Sequence, residues 1–164
     1  MQKIFALLSL LMLASCSFGG SEIRFCPNVQ ISPEYSHVTK LYGDTVQYTV
    51  EIVGYEGYCR YDEKKNATTA VIAPIFEIVR YSDIAGKNVD FPYYVNTEYN
   101  ATGLKGKQPH SYRTTVPEKG KKLLFTAKEV VVQIPNDDAG YQINLEMALS
   151  PQEEMYNRLQ GLDF

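Results

Sequence analysis

Two stretches of strict alternation constrain the fold more than anything else in the chain. In residues 45–53, Val46, Tyr48, Val50 and Ile52 alternate with Thr45, Gln47, Thr49 and Glu51. In residues 141–149, Tyr141, Ile143, Leu145, Met147 and Leu149 alternate with Gln142, Asn144 and Glu146. A period of two puts every apolar side chain on one face of an extended strand, whereas a helix would scatter the same residues around its axis. Each stretch is therefore expected to be a strand with one buried and one wet face, and such strands need a second layer to cover them. Residues 68–81 are apolar on both faces, as a central strand of two packed layers would be, with Pro74 at a bulge or an unpaired position. Residues 123–134 are apolar at 123, 125 and 127 and then at 130, 132 and 134, so the inward phase slips near Lys128-Glu129. A bulge or a sheet-switching bend there would restore the register. With further runs at 23–31, 58–61, 88–96 and 111–116, about seven strands separated by Gly, Pro and Asn turns predict an all-β fold. The expected architecture is a two-sheet antiparallel sandwich, immunoglobulin-like in outline. Thirteen Tyr and seven Phe suit half-buried pleated strands. A short helix is predicted over 151–160, with Ser150 as N-cap, Pro151 at its first position, Glu153 three residues past the cap and Gly161 as stop. Met155 and Leu159 are expected to dock it on the sandwich.

The N-terminus has a different grammar. Lys3 precedes an apolar run over 4–13, too short to span a bilayer, and Ala14 and Ser15 then precede a cysteine. Leu13-Ala14-Ser15-Cys16 resembles the lipobox of bacterial lipoproteins. That resemblance implies a signal peptide over 1–15, lipidation of Cys16, a tether over 16–22 and a β-sandwich domain over 23–164. Ser17 is not the Asp that retains such proteins at the inner membrane, so the expected location is the periplasmic face of the outer membrane. Lys3 is the only charge in the leader, and its removal takes the formal net charge from −3 to −4, which argues against nucleic acid as a partner. With Cys16 lipidated, Cys26 and Cys59 remain as an even pair in a compartment that permits disulfides, and they are expected to bond. Two distant cysteines and two histidines give no recognisable ligand spacing, so no metal is expected.

Four blocks then recur in order: Cys26-Pro27; Cys59-Arg60-Tyr61-Asp62; Asp90-Phe91-Pro92-Tyr93-Tyr94-Val95; and Leu149-Ser150-Pro151-Gln152-Glu153 running on to Tyr156-Asn157-Arg158. Together they resemble a group of alphaproteobacterial lipoproteins without an assigned activity. The resemblance implies compartment and host class and carries over no catalytic residue.

Catalytic signals are absent from the sequence. Neither Gly-x-Ser-x-Gly nor His-Glu-x-x-His occurs, and Gly103-Leu104-Lys105-Gly106-Lys107 lacks the spacing and hydroxyl of a phosphate loop. His37 and His110 fall in expected loops and read as surface histidines. The pairs Asp62-Glu63 and Asp137-Asp138 read as turn residues. No enzyme activity and no cofactor are expected. Phe91, Tyr93, Tyr94 and Tyr99 lie on a segment whose Pro92 suggests a sheet edge, where amphipathic rings would meet a partner. Lys105, Lys107, Arg113, Lys119, Lys121 and Lys122 form a second candidate, a basic surface for anionic headgroups. The expected function is a non-enzymatic envelope lipoprotein that contacts an envelope protein, membrane-held through Cys16. The alternative is a glycan or lipid binder in which the sandwich opens a tyrosine-lined cleft.

Overall fold

The computed structural model describes residues 26–62, 64–83, 88–99, 105–135 and 140–160. The leader, Cys16, the tether, residues 23–25 and the Asp137-Asp138 turn lie outside the described residues. Among the described residues, nine strands and one α-helix follow in chain order, with a 3-10 turn at Pro33–Tyr35: β1 (Asn28–Ile31), β2 (His37–Tyr42), β3 (Thr45–Asp62), β4 (Ala67–Arg80), β5 (Asn88–Tyr99), β6 (Lys105–Thr115), β7 (Lys122–Thr126), β8 (Val130–Pro135), β9 (Tyr141–Met147) and α1 (Pro151–Gln160). They form two sheets and one short C-terminal helix, as the alternation required. One sheet runs β1-β9-β5-β6; the other runs β2-β3-β4, with β7 and β8 in succession along the same flank of β4. The β1–β9 pair is parallel, a departure from the all-antiparallel expectation that sets the first and last strands side by side.

The core lies between the sheets and is built from the apolar phases. Val50, Ile52, Phe76 and Ile78 from one sheet meet Val89, Phe91, Val95, Ile143, Leu145 and Met147 from the other. Phe76 sits at the centre, with ring centroids 4.9 Å from Phe91, 5.2 Å from Tyr93 and 5.7 Å from Phe125.

The phase slip is resolved as a break in one flank. Leu123 and Phe125 of β7 lie opposite Ile78 and Phe76, while Val130, Val132 and Ile134 of β8 lie opposite Ile72, Ala70 and Thr68. Residues 127–129 absorb the odd residue between them. Pro74 is accommodated at this break. Its carbonyl accepts from Ala127 N–H at 2.8 Å, and because a residue's N and C=O point to the same flank of a strand, its donorless nitrogen faces the gap between β7 and β8.

Several expectations are corrected. Residues 88–96 do not form an edge: β5 is paired on both sides, with β6 and with β9. Pro92 is tolerated there because its carbonyl and nitrogen face the β9 flank just beyond the last pair, Tyr93 opposite Met147, where Ala148 N–H supplies a bond at 3.1 Å. Residues 105–108 are strand rather than loop. Gly106 lies so close to Thr97 that a Cβ would come within 2.5 Å of its Oγ1, so the glycine marks close approach inside a ladder. Residues 58–61 continue β3 rather than forming a strand of their own, past a register shift between Ile52 and Gly54. Gly57 there leaves no room for a Cβ, which would meet the Val71 carbonyl at 2.8 Å. β2 was not expected at all, and His37 opens it instead of standing in a loop.

The Cys26–Cys59 disulfide is present, with Cα atoms 5.7 Å apart. It joins the chain just before β1 of one sheet to β3 of the other.

The helix is capped as expected and docked otherwise. Ser150 N–H donates to Glu153 Oε2 at 2.8 Å and Glu153 N–H donates to Ser150 Oγ at 3.4 Å, a reciprocal capping box. Met155 and Leu159 are not the docking face: they are 60% and 57% exposed. The buried residue is Asn157, at 6%, whose Nδ2 donates to the carbonyls of His37 at 2.8 Å and Glu34 at 3.3 Å. At about 100° per residue, positions 155 and 159 project from nearly the opposite side of the helix to position 157. The reason is that the seat consists of backbone carbonyls around the start of β2, which a side-chain amide can satisfy and a methionine cannot.

Glu153 also receives Lys40 Nζ of β2. Burial pushes its carboxyl up, but the hydrogen bonds from Lys40 and Ser150 outweigh that and hold it below the ordinary glutamate range. A carboxyl depressed in the folded state stabilises above its unfolded pKa of about 4.3, and that contribution disappears as pH falls through the lower folded value. We predict that Glu153→Gln, which keeps the cap, removes this part of the acid sensitivity. Between about pH 5 and pH 3 the wild-type chain should lose up to about 1 kcal/mol more than the variant. Parallel denaturation curves across that range would show that the charge on Glu153 does not hold the helix.

Candidate functional site

The four aromatic residues expected to form one contact surface are separated by the pleat. Phe91 and Tyr93 point inward and are buried in the core. Tyr94 points outward but carries Lys107 Nζ 3.6 Å above its ring. Tyr99 packs edge-on against Tyr141, with centroids 4.1 Å apart. Successive side chains of a strand point to opposite faces of its sheet, so Phe91 and Tyr93 face the other sheet while Tyr94 faces outward. The tyrosine-lined cleft between the sheets fails for the same reason, since Phe76, Tyr93 and Phe125 fill that space.

The basic set is likewise engaged. Lys105 pairs with Glu98, Arg113 with Asp90, Lys119 with Asp83, Lys121 with Glu118 and Lys122 with Glu77. Five of the six cations therefore meet a carboxylate, and the sixth, Lys107, lies over the Tyr94 ring. On the outer face of the β1-β9-β5-β6 sheet, Gln142 Nε2 donates to Gln30 and Asn144, and Asn96 Nδ2 donates to Glu146, while Asn96 Oδ1 is buried without a partner among the described residues. At the far end of the other sheet, a hollow of about 660 Å³ includes Asp62, Thr69 and Arg60. Its groups are also committed, Asp62 to the turn amides of Lys64 and Lys65, Thr69 to Gln133, and Arg60 to the Tyr58 ring.

His110 is not a surface histidine. It lies on β6 opposite Tyr93, its ring stacked on the tyrosine with centroids 5.2 Å apart, and burial pushes its pKa down. Its Nε2 is buried without a partner among the described residues, which suits a neutral core imidazole better than a proton carrier.

A different surface keeps its polar groups uncommitted. It is a groove of about 410 Å³ between α1 and the outer face of the second sheet. Its floor follows from the β2–β3 register: His37 lies opposite Glu51 and Thr39 opposite Thr49, and residues directly opposite in an antiparallel pair share a face. One wall is Tyr81, 50% exposed, just past β4. Its N–H donates to the Gln47 carbonyl at 2.8 Å, and the next turn is tied down by Arg80 Nε to the Ser82 carbonyl at 2.7 Å. The other wall is Tyr156 and Gln160, four apart on one helix face. The bond from Asn157 to the His37 carbonyl sets that wall, because it fixes the helix beside the very residue that opens the floor.

The chemistry of the groove is that of hydrogen bonding rather than charge. Ser36 Oγ donates to the Pro33 carbonyl at 3.0 Å and lies 3.4 Å from His37 Nδ1, and the imidazole nitrogens donate or accept according to the tautomer. No hydrogen bond among the described residues engages the side chains of Thr49, Glu51, Tyr81, Tyr156 or Gln160. Among the described residues, no cluster of three His, Cys, Asp or Glu converges in a way that would hold a metal ion. The sequence signal for this site is faint: His37 reads as a loop residue, Tyr156 enters only as part of the fourth block, and nothing marks Gln160. The chain matches no protein-family model, no curated protein and no solved structure.

Proposed function

We propose that this chain is a lipid-anchored, non-enzymatic module of the cell envelope, held at the periplasmic face of the outer membrane and working by contact. The observation that carries the reading is Leu13-Ala14-Ser15-Cys16, followed ten residues later by Cys26, which is disulfide-bonded to β3. A tether from an acylated Cys16 would enter the domain at a covalent tie to the long strand of the opposite sheet. The resemblance of the four sequence blocks to alphaproteobacterial lipoproteins points to the same compartment. The contact surface in this reading is the groove beside α1, where the side chains of Thr49, Glu51, Tyr81, Tyr156 and Gln160 line one space and make no hydrogen bond among the described residues. An envelope protein is the first partner class. The glycan or lipid alternative is retained on the outer groove and not between the sheets.

Acylation with more than one chain, each contributing about 0.8 kcal/mol per buried methylene, makes attachment stable. Cys16→Ser is expected to leave the protein unprocessed or soluble, read out by membrane fractionation and intact-mass measurement. In-cell cross-linking of the wild type should capture an envelope partner that the variant loses. A wild-type protein that carries no lipid overturns the anchored reading.

A further inference from the structure

We infer that the groove between α1 and the outer face of β2 and β3 binds a neutral oligosaccharide. This deepens the contact reading and rests on it, by naming the ligand class of the same surface. The groove's volume, about 410 Å³, lies within the range of small-ligand sites, roughly 300–1,000 Å³.

The ligand class follows from the lining. Tyr81 and Tyr156 stand at the two sides, and tyrosine offers both an apolar ring for the C–H face of a sugar and a hydroxyl for its edge. Between them lie the Thr39 and Thr49 hydroxyls, the Glu51 carboxylate and the Gln160 amide. A sugar hydroxyl both donates and accepts, and this set offers both: Glu51 accepts, while histidine, threonine and glutamine do either.

Other ligand classes fit less well. An anion would face Glu51, and Lys122, which also interacts electrostatically with Glu51 and Tyr81, is held by Glu77 opposite Glu51 in the β3–β4 register. A lipid chain needs an apolar trough, and Val46 is the one aliphatic residue in the lining. A cation would find a single free carboxylate, because Glu77 is spent on Lys122. A neutral polyol uses every group the groove offers and needs no compensating charge.

The uncommitted state of these groups is the strongest argument. On the outer face of the other sheet, Gln30, Gln142 and Asn144 bond one another across strands. In the groove, Thr49, Glu51, Tyr81, Tyr156 and Gln160 face one space without doing so. A site that recognises hydroxyls needs such groups held in place and unpaired, with the ligand's own hydroxyls completing them.

The test uses the full lipidated chain in detergent with neutral tetrasaccharides as probes: β-1,4-linked glucose, β-1,4-linked N-acetylglucosamine and α-1,4-linked glucose, with tetragalacturonate as the anionic counterpart. Calorimetric titration is expected to show saturable binding of at least one neutral probe, with Kd between about 10 μM and 1 mM, and none of tetragalacturonate. Tyr81→Ala and Tyr156→Ala should each weaken that binding at least about tenfold, whereas Tyr156→Phe, which keeps the ring, should stay within about threefold. Thermal melts establish that each variant is folded. No saturable binding of any neutral probe, or equal affinity in folded alanine variants, overturns the saccharide assignment. If cross-linked partners in cells are then lost in Tyr81→Ala and Tyr156→Ala, the contact reading stands with a protein partner. If they persist, the groove is not the contact surface either.

Discussion

Replacing both Cys26 and Cys59 with serine is expected to destabilise the domain by about 3 to 4 kcal/mol. The two cysteines are 33 positions apart, and the chain-entropy cost of that loop in the unfolded state gives this magnitude. For a chain of this size the melting temperature should fall by about 10 °C. The loss should be uneven. β1 has four residues, paired on one side with β9, and the disulfide immediately precedes it. Its amides, Val29 and Ile31 among them, should therefore lose hydrogen-exchange protection before those of β3 and β4. Reducing the wild type should reproduce the variant's melt. A loss below about 1 kcal/mol would mean that the inter-sheet tie carries little of the stability expected for such a loop.

Phe76→Ala is the second large effect, at about 3 to 5 kcal/mol. Phe76 is fully buried, and its ring meets Phe91 and Tyr93 of the opposite sheet as well as Phe125 of the neighbouring strand. Removing it takes away the transfer free energy of the ring and leaves a cavity that two rigid sheets cannot close. Against a total of about 5 to 15 kcal/mol for a typical domain, that loss brings the variant near the limit of folding. Leu159→Ala is the informative contrast. It deletes an equally apolar side chain that stands in solvent on α1, and should change stability by less than about 0.5 kcal/mol. Urea denaturation of both variants reads the difference directly. Similar losses at 76 and 159 would contradict both the central place of Phe76 and the polar docking of the helix.

That contrast also shows where the sequence could be read and where it could not. Phe76 lies in a run whose burial is written in the neighbouring residues, so its place in the core followed from pattern alone. Leu159 has the same apolar character and the right spacing from Met155, yet the helix turns its Asn157 side inward. No pattern in residues 151–160 signals that, because the seat is two backbone carbonyls supplied from residues 34 and 37. The same limit applied to Pro92. A proline reads as an edge marker because it lacks a donor, but whether a donor is needed depends on where the neighbouring strand ends. β9 stops one pair short of it, so an interior strand tolerates it, and Phe91 and Tyr93 move from an expected contact surface into the core. The candidate groove was less legible still. Its floor comes from β2 and β3, one wall from the end of β4 and the other from the last helix, and no short motif spans pieces so far apart in the chain.

The sequence by itself determined the class of fold, the buried phase of the strands around residues 45–53, 68–81 and 141–147, the break near residue 128, the pairing of Cys26 with Cys59 and the capping of the last helix. All of these rest on alternation, on local backbone chemistry or on the small number of cysteines, and so are properties of neighbouring residues or of simple counting. The tertiary structure alone decided which strands are interior, which side of α1 faces the sheet, and which polar side chains are left uncommitted. Those depend on which partner arrives opposite each residue, and partners separated by more than a hundred positions, such as Asn157 and His37, meet only when the two sheets and the helix have assembled.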